Sequence, residues 1–215
     1  MSQKNVEFIL SNPRVIEDIV SYNYNDLYQL IKTASPIVKG ELTTVLYKSN
    51  LLDLQYLTVI PDFMCYGSAG INYLKLPSNI KIIGFAAFGY SKIQKIDLNS
   101  GLESIGDRSF SISALEGDLI IPDTVKKIGH AAFRNTHINS IILPSKLQTI
   151  GQMVFDSCDN LDKLTFTNPD PFERVVAPGL YLPHKSCEIH LPKSWIGSDF
   201  YTELKSEGYY NIHFD

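Results

Sequence analysis

Three side chains near the C-terminus, His184, Cys187 and His190, are of the types that hold zinc, because imidazole nitrogen and thiolate sulfur are its usual ligands. Their spacing opposes that chemistry. In a strand over 187–191, Cys187 and His190 stand three residues apart and point to opposite faces, which predicts an inward cysteine, an outward histidine and no metal. The carboxylates Asp156, Asp159 and Asp162 recur every third residue, whereas calcium loops alternate acids around a glycine turn, so they read as solvated turn residues. His130 and His137 have neither nucleophile nor acid beside them in register and read as solvent-facing side chains. The sequence contains no Gly-x-Ser-x-Gly elbow, no phosphate-cradling glycine-rich loop and no His-Glu-x-x-His. The expectation is a chain without catalytic residues, metal or cofactor.

The elements that position these residues follow from composition and periodicity. With 44% hydrophobic residues in 215, a packed core is well supplied. Nineteen basic against 23 acidic residues give a net charge of -4, and neither sign gathers into a block that would track phosphates, so nucleic acid is not an expected partner. Cys65, Cys158 and Cys187 are odd in number and far apart, unlike a secreted disulfide framework. Glu7 and Pro13 interrupt the N-terminus where a signal peptide needs an apolar run, and no apolar stretch approaches the ~18 residues of a membrane span. These features predict a cytoplasmic chain that makes no membrane contact.

Internal repetition is plain. Ile-Gly pairs stand at 83–84, 105–106, 128–129 and 150–151, with spacings of 22, 23 and 22 residues. A phenylalanine follows each isoleucine at an offset of five: Phe88, Phe110, Phe133 and Phe155. Each is followed by an apolar alternation of strand type at 93–98, 117–121, 138–143 and 161–166. A degenerate earlier copy begins at Ile60 with Pro61 in the glycine position. Such phase-locked units predict coils of a stacked solenoid. Inward residues such as Ile93, Ile96 and Leu98 become buried only when the next coil covers them. At ~1.5–3 kcal/mol per buried Leu, Ile or Phe, five or six of them offset much of the ordering entropy of a coil, so the coils fold as a unit. The four phenylalanines are expected to stack as a ladder, with Ala87, Ser109 and Ala132 leaving room for the turn. The repeated glycine is expected to serve either a positive φ or a close backbone approach.

A solenoid must cap its open ends. Ser11-Asn12-Pro13 predicts a helix start with Val15, Ile16, Ile19 and Val20 on one face, a second helix follows Asn25-Asp26, and a third runs from Ser35-Pro36 through Leu42 and Leu46. At the other end, TNPDPF and APG punctuate a loop before a strand at CEIHLP, a short helix and a closing strand. The expected organisation is a helical cap over 1–50, a solenoid over 51–166 and a C-terminal cap over 167–215.

The phrase apolar-x-x-Ile-Gly-x-x-x-Phe, as written in PDTVKKIGHAAFRNTHINSIIL and PSKLQTIGQMVFDSCDNLDKLTF, resembles the BspA-type leucine-rich repeat. Cys158 falls where many such repeats carry a cysteine after the Phe, and the resemblance extends over roughly 57–214. It implies an α+β fold, a leucine-rich-repeat solenoid of about five 22–23-residue coils, and a non-enzymatic protein-interaction module. The segment NPRVIEDIVSYNYNDLYQL is similar to an F-box, which implies an alternative role as a substrate receptor for a ubiquitin ligase; Asn23 stands where that pattern has leucine, and no tryptophan closes it.

Residues between inward strand positions face out and align into columns: Tyr73 and Lys75, Lys95 and Asp97, Asp118 and Ile120, Ser140 and Ile142, Lys163 and Thr165, Glu188 and His190. Ile120 and Ile142 form an apolar centre with charges around it, as in an interface core with a polar rim. The expected function is capture of a partner protein on this sheet face by a monomer or weak homo-oligomer. The signal-free chain and its Asn-, Ile-, Lys- and Tyr-rich wording favour a viral or phage inhibitor of a host protein.

Overall fold

A computed structural model of the chain describes residues 33–48, 52–55, 57–170, 182 and 184–215. The first two predicted helices, and with them the F-box-like segment, lie outside the described residues. The third is present as helix α1, Pro36–Lys48. Among the described residues it is followed by strands β1 (Val59–Ile60), β2 (Tyr73–Lys75), β3 (Ile82–Ile83), β4 (Lys95–Asp97), β5 (Ser104–Ile105), β6 (Glu116–Ile120), β7 (Lys127–Ile128), β8 (His137–Leu143), β9 (Thr149–Ile150), β10 (Lys163–Phe166), β11 (Glu188–Leu191) and β12 (Ile212–Phe214). Helix α2, Asp199–Ser206, lies between the last two strands, and the Ser198 hydroxyl caps it by accepting from the Tyr201 N–H.

The strands form two parallel columns. The short strands at each isoleucine stack in the order β1-β3-β5-β7-β9. Periodicity does not mark these as strands, because two residues are too few to show alternation. The longer strands stack as β6-β8-β10-β11-β12, with β2 pairing β4 ahead of them. The Glu116 N–H donates to the Gln94 carbonyl and links the two groups. Each coil thus passes once through each column, and the C-terminal cap extends the long column by two strands. Parallel stacking of repeats is what allows identical side chains to meet.

The core is this meeting of like residues. Phe88, Phe110, Phe133 and Phe155 are all fully buried and stacked, with centroid separations of 5.1, 5.5 and 6.2 Å and ring planes within 7° of parallel. Ile83, Ile105 and Ile128 line up beside them, while Leu98, expected inward, is only partly buried at its strand end. Cys65 occupies the ladder position in the first coil and is buried. Three residues beyond each ladder position lies a buried column of Ser68, Ser91, Ser113, Thr136 and Cys158. Ser91 and Thr136 use their hydroxyls to close their own turns on the Phe88 and Phe133 carbonyls, and the Cys158 thiol donates to the Phe133 carbonyl.

Of the two explanations for the repeated glycine, close approach is the one that holds. A Cβ on Gly106 would stand 2.7 Å from the Ile83 carbonyl oxygen, and one on Gly129 2.4 Å from the Asp107 nitrogen. Positive φ occurs two residues later instead, at Phe63, Ala86, Arg108, Ala131 and Met153, and again four residues on at Gly67, Tyr90, Ile112, Asn135 and Ser157. These are third positions of turns such as Gly84–Ala87 and Phe88–Ser91, closed by Ala87 N–H to Gly84 O and Ser91 N–H to Phe88 O. The turns are tied coil to coil, with the N–H groups of Ala86, Phe88 and Tyr90 donating to the carbonyls of Asp107, Ser109 and Ser111.

Both ends of the described array are closed by packing. Leu42 and Leu46 of α1 are buried against the first coil, Thr43 Oγ1 donates to the Met64 carbonyl, and a side chain at Gly40 would strike the Tyr66 carbonyl. At the far end Trp195 is fully buried against Phe166 and Phe200, and its Nε1 donates to the Asn168 carbonyl.

Candidate functional site

The long-strand column presents the surface the sequence singled out. Register pairs Tyr73 with Lys95, Lys75 with Asp97, Asp118 with Ser140, and Ile120 with Ile142. It continues Ser140 to Lys163 to Glu188, and Ile142 to Thr165 to His190. The side chains between them, Leu74, Ile96, Leu119, Ile141, Leu164 and Ile189, are buried, as period-two alternation requires. Two outward columns therefore run along one face.

Their polar contacts are local, made between neighbouring strands. The Tyr73 hydroxyl donates to Asp97 Oδ2 at 2.6 Å, and this bond holds the phenol above its ordinary range. The Ser140 hydroxyl donates to Asp118 Oδ1 at 2.7 Å. His190 stacks on His213 at 5.0 Å, its Nδ1 lying 2.9 Å from Asp215 Oδ2. Between these polar ends Ile120 is 67% exposed and Ile142 37%. Ile120 stands between two hollows of about 290 Å³, one bounded by Lys95, Asp97 and Glu116, the other by Pro122, Asp123 and Ser145. Gly117, at φ 78°, precedes a register shift at which Asn139 of β8 is the extra residue, while β6 keeps its alternation with Leu119 inward and Ile120 outward.

The other sequence candidates are dispersed. Cys187 is buried inward, while His190 lies on the outer face and His184 is paired with Ser186 and Asp162. Among the described residues no group of three or more His, Cys, Asp or Glu side chains gathers as a metal would need. Asp159 and Asp162 are exposed, but Asp156 is half-buried and accepts from Arg134 Nε at 2.7 Å, so it is not merely solvated. His137 is exposed, whereas His130 lines a concavity on the turn face together with Tyr66, Phe85, Tyr90, Arg108 and Arg134. The strand alternation gives no hint of this concavity. Its signal is a constant offset of one or two residues after each Gly and each ladder position, in the turns between the strand columns.

Parallel coils of 22–23 residues, one strand column facing out and a phenylalanine spine within, define a leucine-rich-repeat solenoid. The chain belongs to the BspA-type leucine-rich repeat family, whose repeat matches in six copies over residues 58–173, one more than the phase of the Ile-Gly pairs predicts. Repeats of this family are in general protein-interaction scaffolds rather than enzymes. Among solved structures the chain is similar to the pneumococcal vaccine antigen PcpA, at 18% identity and a TM-score of 0.61, over 72% of this chain and 38% of that one. It is also similar to a leucine-rich repeat protein of Eubacterium ventriosum, at 23% identity and a TM-score of 0.51, over 54% of this chain and 32% of that one. It thus spans well under half the length of either, and both likenesses concern the fold. No curated protein matches the chain in sequence. Among the described residues no helix is long and apolar enough to cross a membrane.

Proposed function

We propose that the chain captures a partner protein on the long-strand face, centred on Ile120 and Ile142 and rimmed by Tyr73, Lys75, Lys95 and Asp97 on one side and Lys163 and Thr165 on the other, with Asp118 and Ser140 between. The observation that carries this reading is the register pairing of two exposed isoleucines amid charged columns, a hydrophobic centre with a polar border. In this reading 51–166 is the binding body and 1–50 and 167–215 are caps. The packing of α1 on the first coil and the extension of the sheet by β11 and β12 support that division. The protein acts in a cytoplasm as a monomer or weak homo-oligomer, and a viral or phage chain inhibiting a host protein is the setting its Asn- and Lys-rich wording favours.

Affinity purification from the native host with wild type and with the Ile120→Asp/Ile142→Asp variant tests it. The expected result is one stoichiometric protein partner retained by wild type and lost by the variant, with a nearly unchanged melting temperature because both side chains reach solvent. Retention of that partner by the variant would place the site elsewhere.

A further inference from the structure

The turn face opposes the use of this protein through one surface alone. There the turns of five successive coils, from Phe63 to Met153, line a groove of about 490 Å³. Its first end is aromatic: Phe63 meets Phe85 edge-on at 5.1 Å and Tyr66 at 5.6 Å, and Tyr66 meets Tyr90 at 5.3 Å. Tyr90 is 52% exposed, an unusual cost for a large ring held at positive φ. Ala86, Gly89 and Ala131 are buried and make a small-residue floor.

The middle of the groove is cationic. Arg108 is exposed at its turn position and makes no ion pair among the described residues. Of the acids in the same turns, Asp156 pairs with Arg134, while Asp62 and Asp107 accept from the backbone N–H groups of Phe85 and His130 and do not line the groove. The Arg108 guanidinium is thus left without an ion-pair partner among the described residues, in a groove walled by rings at one end. Arginine is suited to a carboxylate, which it grips with two parallel N–H donors.

We propose that this groove binds an extended acidic peptide segment of a partner protein, with an aromatic or large apolar residue against Tyr66 and Tyr90 and an Asp or Glu on Arg108. Four coil steps of ~4.8 Å give a length of about 19 Å, which an extended segment of about six residues spans. The site is separate from the long-strand face and does not depend on that face being a binding surface.

Panning a phage-displayed random heptapeptide library on the full chain, followed by fluorescence polarisation with the selected peptides, tests the proposal. Enriched sequences are expected to pair an aromatic residue with an acid. Arg108→Glu or Tyr90→Glu is expected to weaken them by about tenfold or more, as is replacing the peptide's acid by its amide. The Ile120→Asp/Ile142→Asp variant binds them unchanged. Both turn-face side chains are exposed, so matching melting curves confirm that the variants fold. No enrichment, enrichment of neutral or basic peptides, or equal affinity for the turn-face variants overturns the proposal.

Discussion

The ring of Phe110 stacks on that of Phe88 at 5.1 Å, 4° from parallel, and presents its other face to Phe133 at 5.5 Å. Neither contact exists within one coil, so Phe110 reports directly on whether the coils share a core. Phe110→Ala is expected to cost ~3–5 kcal/mol, and Phe110→Leu distinctly less, in urea denaturation followed by circular dichroism. A loss under about 1 kcal/mol for the alanine variant would mean that the coils do not depend on one another there.

Gly129 tests the other half of coil stacking. An added Cβ would lie 2.3 Å from Asp107 Oδ1 and 2.4 Å from Asp107 N, and backbone on backbone has no rotamer by which to escape. Gly129→Ala is therefore expected to destabilise by ~1–3 kcal/mol or more by forcing the two coils apart. Gly67→Ala meets no atom within 4 Å and suffers only its positive φ, about 1 kcal/mol. Chemical denaturation of the two variants should preserve that order; the reverse order would make backbone conformation, not coil spacing, the reason for the Ile-Gly phrase.

Most of the fold is legible because the repeat unit forces every buried residue into phase. The ladder, the long strands and the outward columns of Lys95, Ile120 and Ile142 all follow from period two within a strand and period 22–23 between coils. The short strands at Ile83 and Ile105 are hidden because two residues carry no alternation. The split of glycine and positive φ onto different positions is hidden too. Arg108, Ile112 and Met153 occupy left-handed turns with side chains that do not advertise them. The groove on that face is hidden for the same reason: its residues recur at the same turn positions of each coil but not as the same residue types.

The three cysteines are all free and buried. Burial in apolar surroundings raises the thiols of Cys65 and Cys158 and pushes that of Cys187 up to about 12. A group with a raised folded pKa gives full stabilisation below its unfolded value, near 9 for a thiol, and loses it as pH rises toward the folded value. Melting temperature is thus expected to fall from about pH 9 upward, and Cys187→Ala to flatten that fall. Ellman's reagent should react slowly with native protein at pH 8 and promptly with all three thiols in guanidinium. Rapid native reaction at any one of them would show it to be accessible.

Ile112 is the least comfortable residue of the turn face, a β-branched side chain at φ 58°. Its N–H donates to the Arg134 carbonyl, and the equivalent N–H of Asn135 in the next coil donates to Asp156, so the conformation is imposed by the coil-to-coil ladder. Left-handed geometry costs an ordinary L-residue ~1–2 kcal/mol, and asparagine less, because its short polar side chain tolerates that region. Ile112 is only half-buried, so replacing it forfeits less apolar burial than replacing a core isoleucine would. Strain relief and reduced burial act oppositely, and the former is expected to win. Ile112→Asn should raise stability by about 0.5 kcal/mol, and Ile112→Val, which keeps the branch and the strain, should not. A stability loss for the asparagine variant in the same denaturation assay would mean that packing along the groove outweighs the backbone, and that this face is held rigid by its own side chains.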